Sequence, residues 1–336
     1  MKISEAIPAV SALLDADIPG YLWSAPGVGK SEVMAAVAAS RGAAFYDIRL
    51  NLFDPVDLRG LPAIESGKTA WMRPQIWPDD PSRETVLFFD EMDRATPAVM
   101  SAAMQIVLDR RIGEHVLPPS VRIVAAGNGK TDRTGTNRMP DALANRFCHI
   151  EIEPDAEAWR AWARAAGIPA AMVDFIGFRP ALLHRDTMPD AQRAALVTAG
   201  KGSPSPRAWV RASKLLSLPD AVRHGLIKGL VGEAPAGEFE GFYRAFRELP
   251  PIDSIFADPM GAKVPAASEA SAVYAVSAAL ARRATVQNFG AALAYAGRLP
   301  REFEIVTATD AVRRDPKLQE TAAFTAWAVR NQDVTL

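Results

Sequence analysis

The stretch YLWSAPGVGKSEVMAAVAAS, residues 21 to 40, joins an apolar run to a helical pattern through a turn that contains two glycines. Residues 21 to 25 have the length and the apolar composition of a buried strand. A helix rich in alanine, valine and methionine is predicted from Lys30 to about Ser40. A strand that leads directly into a helix is the repeating unit of a mostly parallel sheet with helices packed on it.

The alternation of strand and helix continues through the first half of the chain. Further strands are predicted at FYDIRL (45 to 50), TVLFFDE (85 to 91), VRIVAAGN (121 to 128) and FCHIEI (147 to 152), with a helix near residues 98 to 109. We therefore predict an α/β fold in which residues 1 to 153 form a doubly wound, parallel-sheet nucleotide-binding domain.

The second half of the chain is predicted to be helical. Beyond about Pro154 the strand patterns end, and residues 156 to 167, 206 to 218 and 268 to 283 show the 3.6-residue apolar spacing of helices. We therefore expect residues 154 to 336 to form a helical lid and a C-terminal helical region. Four prolines between Leu249 and Ala266 predict a loop or a hinge there.

Composition limits the partners and the compartment. The 38 lysines and arginines nearly cancel the 39 aspartates and glutamates, so no overall field draws the chain to a polyanion or to an anionic membrane. Nucleic acid is therefore not indicated as a partner, although a locally basic pore stays open as an alternative. No run of about 20 apolar residues predicts a membrane span. Cys148 is the only cysteine and is expected to be buried; the absence of any disulfide pair favours the cytoplasm.

The turn in the opening stretch has the residues of a phosphate-binding loop. Two glycines allow a tight turn in which backbone N–H groups and the start of the helix face an anion. Lys30 is expected to meet the β- and γ-phosphate oxygens, and the Ser31 hydroxyl to ligate Mg²⁺. Ser24 stands where the usual pattern has a glycine, and an ordinary strand-to-helix turn with a surface lysine is the alternative. The candidate nucleotide-binding residues of the loop are Pro26, Gly27, Val28, Gly29, Lys30 and Ser31.

Two adjacent carboxylates end the most apolar of the predicted strands, LFFDE at 87 to 91. Because the carboxyl ends of parallel strands meet at one edge of the sheet, these acids are expected to lie beside the phosphate-binding loop. Asp90 is expected to hold Mg²⁺, directly or through water, and Glu91 to polarise the attacking water. The alternative is a pair of capping or turn residues.

Together these motifs resemble those of the AAA+ ATPases. The pairing of APGVGKS (25 to 31) with LFFDEMDRA (87 to 95), followed by a strand that ends in AAGN (125 to 128), is similar to the arrangement in that superfamily. The resemblance implies a P-loop ATPase that uses ATP and Mg²⁺. It places Asn128 at the sensor 1 position, where the side chain orients the lytic water. An asparagine beside glycines is also typical of a turn.

The same resemblance assigns two arginines. PDALANRF (140 to 147) resembles the segment that carries the arginine finger, which points to Arg146, with Arg133 and Arg138 as alternatives. A guanidinium that reaches the γ-phosphate of a neighbouring subunit would make hydrolysis depend on a homo-oligomer. SPRAW (205 to 209) is similar to the sensor 2 motif, with Arg207 at the start of a lid helix. Local ion pairs or a solvated helix face are the alternative roles for these arginines.

Two insertions resemble those of one branch of the superfamily. Residues 51 to 78 and 109 to 120 are each patterned as a β-hairpin. They resemble the helix 2 insert and the pre-sensor 1 hairpin of the clade that contains MoxR-type ATPases, magnesium chelatase motors, McrB-type GTPases and midasin. The run DPVDLRG (54 to 60) is closest to the MoxR branch, and the whole resemblance covers residues 20 to about 217.

This branch implies an ATP-driven remodeller of proteins. MoxR-type ATPases are hexamers that commonly act with a partner of the von Willebrand factor A type, so a homo-oligomeric ring with such a partner or with a protein client is the leading expectation. A motor stimulated by nucleic acid and a nucleotide-gated scaffold with little turnover are the alternatives. The choice between ATP and GTP stays open.

Overall fold

The computed structural model describes residues 1–128, 137, 139–199 and 202–332. The chain divides into two compact units. Met1–Ala158 and Ser205–Arg207 form the first, and Trp159–Pro204 and Ala208–Leu336 form the second. Within the described ranges, no helix is both long enough and apolar enough to cross a membrane.

A parallel sheet is the centre of the first unit. The strands are β1 (Gly20–Ser24), β2 (Ala44–Arg49), β3 (Leu61–Glu65), β4 (Lys68–Met72), β5 (Thr85–Asp90), β6 (Arg111–Ile112), β7 (His115–Val116), β8 (Val121–Asn128) and β9 (Cys148–Glu151). Among the described residues, five of them form one sheet in the order β2-β5-β8-β1-β9. All neighbours in this sheet are parallel. The predicted α/β fold with a parallel sheet is therefore confirmed.

Helices cover both faces of this sheet. The helices of the first unit are α1 (Ile3–Asp15), α2 (Lys30–Ser40), α3 (Pro55–Arg59), α4 (Pro97–Asp109) and α5 (Asp141–Ala144). Every residue of β5 is buried. Phe88 packs in a core cluster with Met34 and Val37 of α2, and its neighbour Phe89 packs in another cluster with Met100 of α4. Alternate side chains thus point to opposite faces, which explains why this strand is a continuous apolar run.

The two predicted hairpins lie in the first unit. β3 and β4 pair antiparallel around Ser66 and Gly67, whose φ angles of 52° and 74° fit a two-residue turn with positive φ at both positions. The second hairpin, β6 with β7, is short. Trp77, which follows the first hairpin, is buried, and its indole N–H donates to the carbonyl oxygen of Leu58 at 2.7 Å.

The described part of the second unit is helical. Two of its helices begin in the first unit: the first three residues of α6 and the first two residues of α9 belong there. The helices of the second unit are α6 (Ala156–Ala165), α7 (Ala170–Phe178), α8 (Asp190–Ala199), α9 (Pro206–Ser213), α10 (Asp220–Val231), α11 (Glu233–Arg247), α12 (Ile252–Ala257), α13 (Ala270–Arg283), α14 (Phe289–Ala296), α15 (Arg301–Arg314) and α16 (Ala322–Arg330). Fully buried aromatic rings, among them Phe175, Trp209 and Phe239, pack against one another in this unit.

Two sequence expectations need correction. The proline-rich stretch predicted as a loop or a hinge contains α12, because Ile252 and Ile255 lie one helical turn apart and both bury in the apolar core; the expected loop begins only after this helix, at Asp258. Cys148 is exposed rather than buried. It lies in β9 at the edge of the sheet, where Ile150 is the one buried residue of the strand.

Candidate functional site

The carboxyl ends of three neighbouring strands meet at one edge of the sheet. Ser24, at the end of β1, is in register with Asn128 at the end of β8. β5 pairs with the other side of β8 and ends at Asp90. The strand order therefore brings together side chains that lie far apart in the sequence, as expected for a ligand site in an open parallel sheet.

The loop after β1 turns sharply into α2. Gly27 and Gly29 have φ angles of 81° and 111°, in the region that glycine adopts at little cost and side-chain-bearing residues rarely do. Gly29 is the N-cap of α2, so Lys30 and Ser31 are the first residues of the helix. The first backbone N–H groups of a helix have no partner within the helix, and this end therefore attracts an anion.

The Lys30 ammonium group lies among neutral oxygen atoms. It donates to the carbonyl oxygen of Ser24 at 3.2 Å, to the Ser24 hydroxyl at 3.1 Å and to Oδ1 of Asn128 at 3.4 Å. Burial lowers the pKa of Lys30, while the charges of Asp90, Asp93 and Glu91 act in the opposite direction. The Lys30 ammonium group is partly buried and its hydrogen-bond partners carry no charge, so its positive charge is available to a phosphate group.

Two oxygen groups converge beside this lysine. The Ser31 hydroxyl donates to Oδ2 of Asp90 at 3.0 Å, and the other oxygen of Asp90 accepts the backbone N–H of Glu91 at 2.9 Å. A hydroxyl and a carboxylate at this separation offer the hard oxygen ligands that Mg²⁺ prefers, with room for waters and phosphates to complete the coordination. The residues present therefore fit an Mg²⁺-bound triphosphate.

Glu91 is held in an unusual backbone conformation. Its φ of 52° and ψ of 35° lie in the left-handed region, where only a few per cent of non-glycine residues are found. A short 3-10 helix, Met92–Arg94, follows immediately. The turn places the half-buried carboxylate of Glu91 on the wall of the pocket. Such conformations are maintained at functional sites when the surrounding contacts determine them.

These groups surround one pocket that is partly open to solvent. It is lined by Pro26, Gly27, Gly29, Lys30, Ser31, Asp90, Glu91, Arg94, Gly127, Asn128 and Arg207. Most of the residues predicted from the sequence therefore lie together. The side chain of Val28 is instead buried in the apolar core with α2, so only its backbone is available to a ligand.

The predicted arginines occupy different places. Arg207 lies on the pocket wall, and its guanidinium is 3.8 Å from a carboxylate oxygen of Glu32, both side chains being more than half exposed. An exposed pair at this distance contributes little to stability. Arg146 is exposed just after α5 and does not line the pocket of its own chain. The alternatives Arg133 and Arg138 lie outside the described residues.

Sequence reasoning missed three residues of this site. Ser24, noted only as a departure from the usual loop pattern, is the hydrogen-bond partner of Lys30. Arg94 lines the pocket because the 3-10 turn after Glu91 brings it back to the site. Gly127 lines it as the next-to-last residue of β8. The arginine and the glycine each had a sequence signal, since they lie within the LFFDEMDRA and AAGN motifs.

Comparison with known proteins gives distant similarities. No family model matches the chain. Midasin of Giardia intestinalis is 25% identical over 173 residues, which are 47% of this chain and only 4% of the length of Midasin.

Solved structures are similar over larger parts of the chain. A mutant of RuvB from Thermotoga maritima has a TM-score of 0.40 and 16% identity, covering 83% of this chain and 80% of that one. NtrX from Brucella abortus in complex with ADP also has a TM-score of 0.40, with 12% identity, covering 98% of this chain and 67% of that one. TM-scores of this size do not assign a fold family.

Proposed function

We propose that the protein is an AAA+ ATPase that hydrolyses ATP with Mg²⁺ in the pocket at the ends of β1, β5 and β8. The observation that carries this proposal is the 3.0 Å contact between the Ser31 hydroxyl and the Asp90 carboxylate. A hydroxyl at the first turn of a loop-capped helix and a carboxylate at a neighbouring strand end are the paired ligands by which P-loop enzymes hold Mg²⁺.

The neighbouring groups have distinct roles in this proposal. Backbone N–H groups of residues 27 to 31 and the Lys30 ammonium group bind the phosphates. When bound, Mg²⁺ neutralises charge on the phosphate oxygens. Glu91 polarises the attacking water by accepting its proton, and Asn128 orients that water. Arg207 supplies positive charge on the open side of the pocket.

The proposal includes assembly into a ring, a hexamer in MoxR-type proteins. Arg146 is exposed and lies away from the pocket of its own chain, as a residue that acts on a neighbouring copy has to be. A guanidinium added from the next subunit would stabilise the charge that develops during phosphoryl transfer. Hydrolysis would then depend on protein concentration below the assembly threshold.

The proposed work of the ATPase is the remodelling of a partner protein in the cytoplasm. The two hairpins, β3 with β4 and β6 with β7, support a relation to the MoxR, chelatase and midasin clade. The identity with a part of Midasin agrees with that relation. A protein client or a von Willebrand factor A-type partner is the expected substrate of the motor.

Phosphate release from ATP with Mg²⁺ tests the hydrolytic function. Wild-type protein is expected to turn over, Lys30→Ala to lose nucleotide binding, and Glu91→Gln to bind ATP while hydrolysis falls by about 10²-fold or more. Lys317→Ala and Glu320→Gln, exposed positions of the second unit, are matched controls that should behave as wild type. Unchanged phosphate release in Glu91→Gln would refute the water-polarising role.

The same assay separates the alternative functions. Stimulation by a von Willebrand factor A-type protein supports the remodeller. Stimulation by DNA or RNA, with binding that weakens steeply as salt rises, would replace it by a nucleic-acid motor. Assembly with ATP but no phosphate release in the wild type would leave a nucleotide-gated scaffold.

A further inference from the structure

Asp93 is a buried carboxylate near the pocket, and the sequence motifs give it no role. Its side chain is 3% exposed, and it does not line the pocket. A carboxylate is withdrawn from water only at a large cost unless polar groups compensate it. Asp93 lies two residues after Glu91, within the 3-10 turn Met92–Arg94, so its hydrogen bonds connect this turn to its surroundings.

The hydrogen bonds of Asp93 lead to the end of β8. Its Oδ2 atom accepts the backbone N–H of Asn128 at 3.0 Å. Its backbone carbonyl oxygen accepts the backbone N–H of Asn137 at 2.7 Å, and the Asn137 side-chain amide donates to the carbonyl oxygen of Ala95 at 2.9 Å. The turn after Glu91 therefore holds Asn128 and Asn137, nine residues further along the chain.

The backbone of β8 comes unusually close to Asp93 at Gly127. A Cβ atom at this position would lie 2.9 Å from Cγ of Asp93 and 2.3 Å from the hydroxyl oxygen of Tyr21. Side chains do not approach a Cβ this closely in folded proteins, so the arrangement requires glycine. Gly127 thus allows the Asp93 carboxylate to reach the N–H group of the next residue.

The held residue is part of the pocket. Oδ1 of Asn128 accepts a hydrogen bond from Lys30 at 3.4 Å. One short turn therefore carries Glu91 at its start and, through Asp93, is hydrogen-bonded to the backbone of Asn128, whose side chain contacts Lys30. A buried hydrogen bond with a charged acceptor is the stronger kind, which suits it to hold a strand end.

We propose that Asp93 is a positioning residue of the hydrolytic site, because its carboxylate holds Asn128 in register with Glu91 and Lys30. This inference depends on the proposed ATPase function for its consequence in turnover. The structural part of the inference, the Asp93–Asn128 hydrogen bond, does not depend on the ATPase function.

Turnover in a double-mutant cycle tests the consequence. Asp93→Ala is expected to lower kcat by about 10- to 100-fold, the effect of misplacing a catalytic group by up to about 1 Å, while KM for ATP changes by less than about threefold. In an Asn128→Ala background, Asp93→Ala should have little further effect, because the group that it positions is gone. The variant Asp93→Asn should keep most of the wild-type activity, since the amide oxygen of the new side chain can accept the same N–H group.

A control variant separates positioning from general stability. Asp174 is another buried aspartate, paired with Arg282 in the second unit. Any effect of Asp174→Ala on kcat should be the same in wild-type and Asn128→Ala backgrounds. Equal effects of Asp93→Ala in both backgrounds, or a similar loss in Asp93→Asn and Asp93→Ala, would overturn the positioning role.

Amide hydrogen exchange tests the structural part without any turnover. Exchange of the Asn128 amide should be at least about tenfold faster in Asp93→Ala than in wild type, and close to wild type in Asp93→Asn. Unchanged exchange in Asp93→Ala would refute the inference even if the protein hydrolyses ATP. A wild type without hydrolysis refutes the ATPase proposal instead, and exchange still decides whether Asp93 holds Asn128.

Discussion

Replacing Gly127 by alanine is expected to damage the candidate site by crowding rather than by removing a functional group. The added Cβ atom would lie 2.3 Å from the Tyr21 hydroxyl oxygen, against an ordinary contact of 3.4 Å or more, so the atoms have to separate by about 1 Å. Tyr21 cannot retreat easily because it is fully buried, with its ring 4.4 Å from Trp23 and 5.3 Å from Phe147 between ring centres. The end of β8 has to move.

The displacement has two consequences of different size. Overpacking of a buried site of this kind lowers the free energy of unfolding by about 1–3 kcal/mol. Asn128 is the next residue, and its Oδ1 atom is 3.4 Å from the Lys30 ammonium group. A shift of about 1 Å in a catalytic group lowers turnover by roughly 10²-fold. We therefore expect a modest loss of stability together with a large loss of kcat.

Steady-state ATP hydrolysis and urea unfolding of the same preparations measure both effects. Removing the crowded oxygen in Tyr21→Phe with Gly127→Ala should restore part of kcat, and only part, because Cγ of Asp93 remains 2.9 Å from the new Cβ. Gly225→Ala is the matched control, since a Cβ there meets no described atom within 4 Å; it should keep full turnover and gain about 0.4–1 kcal/mol. Wild-type kcat in Gly127→Ala would refute the steric argument.

Three further predictions concern arginines. Arg146→Ala should lower hydrolysis by on the order of 10³-fold while leaving ATP binding intact. If Arg146 acts on a neighbouring copy, mixing the variant with wild-type protein should lower turnover by more than the fraction of variant subunits in the mixture. Arg207→Ala should lower kcat by about tenfold or more without changing the unfolding midpoint, because its pair with Glu32 is exposed; a shifted midpoint with normal turnover would make it structural. Arg223→Met should lower the free energy of unfolding by about 3–5 kcal/mol in a urea titration, because it leaves the nearly buried Glu240 carboxylate, now bonded at 2.6 and 3.0 Å, without its partner. Changing Glu240 to leucine as well should recover most of that loss. No recovery in the double variant would show that the loss does not come from the unpaired Glu240 carboxylate.

Local signals in the sequence predicted most of the first unit. The helix expected from Lys30 to about Ser40 and the strand expected at 121 to 128 have the observed bounds. Both were readable because apolar periodicity and a glycine turn are properties of neighbouring residues. The short helix α12 within the proline-rich stretch was missed for the same reason: the burial that makes it a helix comes from residues distant in the sequence.

The sequence by itself determined the type of each core element and the residues of the phosphate-binding loop and of the strand-end acids, because these depend on patterns within a few residues. Only the tertiary structure decided that Lys30 contacts Asn128 and that Asp93 accepts the N–H group of Asn128. Those contacts depend on the order of strands in the sheet and on a close approach at Gly127. No local pattern encodes them, because the partners are brought together by packing across the sheet.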